Sequence, residues 1–162
     1  MSADREIDRE IRATRVFDAP RELVWKVWTD PVHIAQWWGP NGFTNTISEM
    51  EVKPGGVWRF IMHGPDGTDY PNEITYLEVE KPSRLVYDHG PVPRFRVTVT
   101  FEEEGGRTRL TMRSLFETAE EREKVVEEYG AIEGLNQTLG RLAEHLARPE
   151  VNITRTFEEK AS

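Results

Sequence analysis

Phe95-Arg-Val-Thr-Val-Thr-Phe101 alternates apolar and polar side chains without a break, with Phe95, Val97, Val99 and Phe101 on one side and Arg96, Thr98 and Thr100 on the other. Successive side chains of a strand point to opposite faces, so this segment predicts a strand with one buried face and one wet face. Such half-buried strands belong to antiparallel sheets; the parallel strands of a βαβ fold are covered on both faces and read as continuous apolar runs. Turn signals recur on both sides of it, at Lys53-Pro-Gly-Gly56, Gly64-Pro-Asp-Gly67, Lys81-Pro-Ser83, His89-Gly-Pro91 and Glu104-Gly-Gly106. Six strands fit between Phe43 and Phe116.

Upstream, Thr14-Arg-Val-Phe17 reads as a further strand, which brings the expected count to about seven. Asp18-Ala-Pro20 then opens a helix with Asp18 as its cap, and Leu23, Val24, Val27 and Trp28 recur at helical spacing as far as Thr29. Asp30-Pro31 breaks that pattern before a second short helix, which carries Ile34, Trp37 and Trp38 until Gly39-Pro-Asn-Gly42 stops it. Downstream, Glu117 to Glu128 is an acidic surface helix, and Tyr129 to Ala147 is a longer one. Its Ile132, Leu135, Leu139, Leu142 and Leu146 form a narrow apolar stripe that requires a partner face. The inner face of the sheet is that partner, which predicts an α+β fold of two layers. Gly130, Gly134 and Gly140 each weaken a helix by roughly 1 kcal/mol relative to alanine, so a turn into the helix or a close neighbour is expected at them.

At 162 residues and 37% apolar content the chain is long enough for one buried core and too short for two ordinary domains. Residues 1–148 are expected to form a single domain. The tail, 149–162, contains Ile153-Thr-Arg-Thr-Phe157, which echoes Ala13-Thr-Arg-Val-Phe17 and suggests an added edge strand, in the same subunit or in a homodimer partner. A net charge of −8 repels phosphate backbones and anionic membranes, so nucleic acid and membrane insertion are not expected. The chain has no cysteine, which excludes thiol catalysis and thiolate ligation. Its charged start carries no apolar signal segment, so a cytoplasmic location is the expectation. The four histidines, His33, His63, His89 and His145, show no metal-ligand spacing, and no nucleophile elbow, P-loop or dinucleotide fingerprint occurs. Neither a metal nor a cofactor is expected.

The order strand, two short helices, six strands and a long last helix resembles the helix-grip fold of the START and Bet v 1 (SRPBCC) superfamily. The wording is closer to one branch. Ala19-Pro20 with Val24-Trp25, Trp37-Trp-Gly-Pro40, Pro54-Gly-Gly-Val-Trp-Arg-Phe60, Met62-His-Gly-Pro-Asp-Gly67 and Glu133-Gly-Leu-Asn-Gln-Thr-Leu139 resemble the single-domain bacterial proteins similar to the C-terminal domain of the activator of Hsp90 ATPase. The likeness covers about residues 13 to 147. It implies a curved antiparallel sheet wrapped on the last helix, with a cavity between them that in relatives holds apolar ligands; some relatives are cyclases or aromatases. Where the family often has tryptophan after the helix glycine this chain has Leu135, which implies a roomier wall. The N-terminal domain with which the eukaryotic co-chaperone grips Hsp90 has no counterpart here, so the resemblance does not carry an Hsp90 contact with it.

Four of the five tryptophans, Trp25, Trp28, Trp37 and Trp38, fall within fourteen residues, and such a cluster builds either a core corner or the wall of an apolar pocket. Trp25 and Trp28 share a helix side and read as core. Trp37 and Trp38 face different ways, one inward and the other towards a cavity mouth. In the row Trp58, Phe60, Met62 the alternate residues Arg59, Ile61 and His63 point outward if the row faces in. His63, at a strand end, is the candidate for acid–base work near neutrality. On the next strand, Ile74 shares the side of Tyr76, which makes Tyr76 the inward residue and Glu73 the outward one. The expected cavity residues are Trp37, Trp38, His63, Tyr76, Leu135 and Leu139. Binding of a small hydrophobic or aromatic ligand is the leading function, ahead of catalysis. The alternatives are a cyclase- or dehydratase-like enzyme moving one proton through His63, Glu73 or Tyr76, and a co-chaperone-like interaction module.

Overall fold

A computed structural model describes residues 5–90 and 94–151. Among the described residues seven strands form one open sheet: β1 (Glu10–Phe17), β2 (Thr44–Met50), β3 (Val57–His63), β4 (Asp69–Glu80), β5 (Arg84–Gly90), β6 (Phe95–Glu104) and β7 (Arg107–Phe116). Their order across the sheet is β1-β7-β6-β5-β4-β3-β2, and every neighbouring pair is antiparallel. Short α1 (Arg21–Thr29) and α2 (Pro31–Trp37) connect the two edge strands, and α3 (Ala119–Tyr129) and α4 (Ala131–Ala147) follow the last strand. This is the α+β helix-grip arrangement, with α4 as the gripped helix. No helix among the described residues is long and apolar enough to cross a membrane.

The alternation in β6 is realised as expected. Val97, Val99 and Phe101 are buried, Phe95 is half-buried on the same side, and Arg96, Thr98 and Thr100 face away. From α4, Leu139, Leu142 and Leu146 enter the same core as Val99, Leu110 and Met112. Burying a side chain of that size is worth roughly 1.5–3 kcal/mol, so this seam is what holds the helix to the sheet. Trp25 and Trp28 fill the corner where α1 meets β6, edge-on to Phe101 at 5.3 and 5.8 Å between ring centres.

Three sequence expectations are corrected. Asp18 does not cap α1: Pro20 occupies the cap position, and no side chain bonds to the first turn. Its fixed φ suits the start of a helix without a polar cap. The capping aspartate is Asp30, which accepts from the Val32 N–H at the start of α2, with Pro31 next to it. The long helix does not begin at Tyr129, which ends α3. Gly130, left-handed at φ +60°, turns the chain so that α4 starts at Ala131, a conformation that side-chain-bearing residues resist. Ile132 is consequently off the stripe and 42% exposed, while Thr138 and His145 join the buried face. The expected edge strand of the tail lies outside the described residues.

Candidate cavity site

Beneath the first half of α4 the sheet and the helix do not meet, and a cavity of about 250 Å³ remains. Strand register explains its floor. Ile74, His89, Phe95 and Phe116 are paired in one row across β4, β5, β6 and β7. Tyr87, Val97, Ser114 and Ile11 form the next row, across β5, β6, β7 and β1. All eight line the cavity. Opposite them α4 presents Ala131, Gly134 and Thr138, small side chains that leave space unfilled, together with Leu135.

The rim is Trp38, Gly39 and Pro40, the segment that ends α2. One face of α4 holds it. A Cβ placed on Gly134 would sit 3.4 Å from the Pro40 ring, in ordinary van der Waals contact, so the loop lies close against the helix at this point. Gln137 accepts from the Asn41 N–H at 3.0 Å. Arg141 Nη1 donates to the carbonyls of Trp38, Gly39 and Pro40 at 3.3, 2.9 and 3.0 Å, and Nη2 to that of Gln36 at 3.2 Å. Burial holds Arg141 below its ordinary pKa. Its positive charge thus serves to anchor backbone carbonyls that no helix or strand satisfies.

Few polar groups reach the cavity. His89 Nε2 lies 2.7 Å from Asn72 Oδ1, and the Asn72 amide in turn donates to the Tyr70 carbonyl at 2.8 Å. Phe95 stacks on the His89 ring at 4.5 Å, which fixes the plane of the imidazole. Thr138 returns its hydroxyl proton to the Gly134 carbonyl at 2.9 Å, and the Ser114 hydroxyl stands in the floor. Burial raises the pKa of Tyr87 well above its ordinary value, with neighbouring Tyr76 adding to it, so its phenol stays protonated near neutrality.

The six sequence candidates separate. Trp38 and Leu135 line the cavity. Trp37 is fully buried behind it, donating its indole N–H to the Val27 carbonyl at 3.1 Å. Tyr76 and Leu139 are buried in the core outside the lining, and burial likewise raises the Tyr76 pKa. His63 lies on the outer face. Its Nδ1 is 2.6 Å from Asp69 and its Nε2 is 2.7 Å from the Thr46 hydroxyl, with the sheet between it and the cavity. Glu73 is also outside, bonded to Arg59. Asn72, His89, Phe95, Ser114 and Phe116 line the cavity and are not among those six. Parity pointed to two of them, since Asn72 is two residues from inward Ile74 and His89 two from Tyr87, but only the register shows that they meet.

A pair of histidines lies at the far end of α4. His33 Nδ1 and His145 Nε2 are 3.0 Å apart, and His145 is buried with its Nδ1 unpartnered. Burial, helped by His33 and Arg148, pulls the His145 pKa down from 6.5 to about 4. No group of three or more histidine, aspartate or glutamate side chains placed to hold a metal ion occurs among the described residues.

No curated protein matches the sequence significantly. Solved structures do. A protein of Arthrobacter aurescens shares 30% identity, with 90% of this chain and 91% of that one covered at a TM-score of 0.82. Protein NE0264 of Nitrosomonas europaea shares 27% identity over 96% of this chain and 98% of its own, at a TM-score of 0.77. Ms6760 of Mycobacterium smegmatis shares 25% identity over 88% and 93%, at 0.79. The family profile described as Activator of Hsp90 ATPase homolog 1-like protein matches residues 18–147. With the helix-grip topology, the cavity under α4 and this match over most of its length, the chain belongs to the activator of Hsp90 ATPase homolog 1-like family of the START/Bet v 1 superfamily.

Proposed function

We propose that the chain binds a small hydrophobic or aromatic molecule in the cavity between the sheet and α4. The observation that carries this reading is the cavity of about 250 Å³ walled by Trp38, Met62, Phe95, Met112, Phe116 and Leu135. Apolar surface withdrawn from water contributes roughly 25 cal/mol per Å², so such walls favour an apolar occupant. Trp38 and Leu135 contact the ligand directly, while Trp37, Tyr76 and Leu139 support the wall from behind. Natively purified protein is expected to release lipophilic molecules detectable by mass spectrometry and to enhance the fluorescence of a hydrophobic dye at one site. Protein that is empty and also ignores such dyes overturns the reading.

One observation favours a second, catalytic reading. His89 is an imidazole in the cavity wall, oriented by Asn72 and by Phe95, whereas His63, Glu73 and Tyr76 do not line it. An enolisation or dehydration moving one proton would then run through His89. Deuterium uptake from D₂O into the methyl group of bound 2-acetylnaphthalene, lost in His89→Gln, is the test; uptake no faster than in buffer removes this reading.

A further inference from the structure

Resting on the binding reading above, we infer that the cavity selects uncharged ligands and covers a body of about two fused rings, so that carboxylates are poor occupants and carbon atoms beyond that size add no affinity. The first half follows from what is missing from its lining. Among the described residues, none of the nineteen around the cavity is an aspartate, glutamate, lysine or arginine. A carboxylate drawn inside would lose its hydration and meet no permanent cation, only the His89 imidazole, a loss that a few neutral hydrogen bonds do not offset.

The guanidinium groups that flank the cavity do not line it; Arg141, at the rim, is turned to the carbonyls of Trp38, Gly39 and Pro40. Arg96 is paired with Asp88 at 2.8 and 3.2 Å. Arg9 donates to the carbonyls of Phe116 and Glu117 at 3.0 and 3.5 Å. Arg94 is exposed, in an outer groove that it shares with Asp88 and Glu117. The polar groups within reach include the Ser114 hydroxyl and the Tyr87 phenol in the floor, the latter with no hydrogen-bond partner among the described residues, and the Asn72–His89 pair in the wall. Those suit a ketone, an alcohol or an ether oxygen.

Size follows from volume. An apolar cavity of roughly 150 Å³ accommodates benzene, so by proportion 250 Å³ holds about ten carbon atoms. A fused bicyclic ring system fills it. The flat walls suit such a shape, with Phe95 and Phe116 on the floor and Trp38 at the rim.

Calorimetry at pH 7.5 with 2-acetylnaphthalene and 2-naphthoate, equal in size and opposite in charge state, tests the first half. The ketone is expected to bind at least 30-fold tighter; equal or tighter binding of naphthoate overturns the selection for neutral ligands. Leu135→Arg adds the missing cation at a half-buried wall position and is expected to shift the preference at least tenfold towards naphthoate. An unchanged ratio in that variant counts against the charge argument. A series from 1-octanol to 1-tetradecanol tests the second half: affinity should rise to about ten carbons and then level off, and a rise that continues to fourteen overturns the size limit. If none of these probes binds, the binding reading itself falls; if they bind in the wrong order, only this inference does.

Discussion

The two halves of α4 face the same sheet and meet it in opposite ways. The second half drives Leu139, Leu142 and Leu146 into a filled core, backed by Trp28 within 4.9–5.9 Å of Trp37, Trp38 and Phe101 between ring centres. The first half offers Ala131, Gly134, Leu135 and Thr138 to Tyr87, Phe95, Met112 and Phe116, and a cavity remains. One helix therefore does two jobs. Where large side chains come from both layers the fold is held together, and where the helix withdraws its share, a volume is left for something else to fill.

The largest effect should come from the filled end. Trp28→Ala removes a ring that is 1% exposed and in contact with three aromatic neighbours, and it should cost about 3–5 kcal/mol in urea unfolding. A loss below about 1 kcal/mol would mean that this end is not the packed half at all.

Acid should loosen the same end next. The folded pKa of His145, about 4, lies below its unfolded value of 6.5, so the unfolded chain takes up the proton first. Stability is then complete above pH 6.5 and declines as pH falls towards 4, by up to about 3 kcal/mol from this group. His145→Leu should remove most of that slope in denaturation curves measured across the window, and a slope that survives assigns it to other groups.

Between the two halves stands Arg141, which anchors the rim at the carbonyls of Gln36, Trp38, Gly39 and Pro40. Arg141→Ala should cost about 2 kcal/mol and speed dye exchange in stopped-flow measurements, because the rim loses its tether. Equal exchange rates would disconnect the rim from ligand access.

At the hollow end, Leu135→Trp should abolish dye binding while changing stability by no more than about 1 kcal/mol, since the added ring enters existing space. Strong destabilisation with binding intact would reverse the contrast between the two halves. The smallest effect is expected outside both: His63→Ala breaks an exposed network with Asp69 and Thr46 and should leave dye affinity unchanged and stability within about 0.5 kcal/mol.

Much of the scaffold was legible because its signals are local. Alternation in Phe95–Phe101, the turn pairs from Lys53 to Gly106 and the spacing of Leu135, Leu139, Leu142 and Leu146 each report on residues a few positions apart. The opposite faces of Trp37 and Trp38 were likewise readable from position, whereas His63, expected among the cavity residues, takes the outer face that the alternation of its strand implied. The misreadings have local causes of their own. Pro20 starts α1 where an aspartate was expected to cap it, and Gly130 ends one helix and begins another, so the stripe starts a turn later than Ile132 suggests. Nothing within a short window ranks Ser114 or Asn72 above other polar strand residues.

By itself the sequence determined the kind of object: an antiparallel sheet gripping a last helix, with a family likeness dense enough to name. Tertiary structure alone decided where that object is hollow and what lines the hollow. Strand alternation and helix periodicity are properties of neighbouring residues, whereas a cavity is a mismatch in volume between layers. Here it arises because Gly134 and Leu135 on α4 are set by the fold against Tyr87, Phe95 and Phe116, residues about twenty to fifty positions away whose pairing register no single stretch of sequence contains.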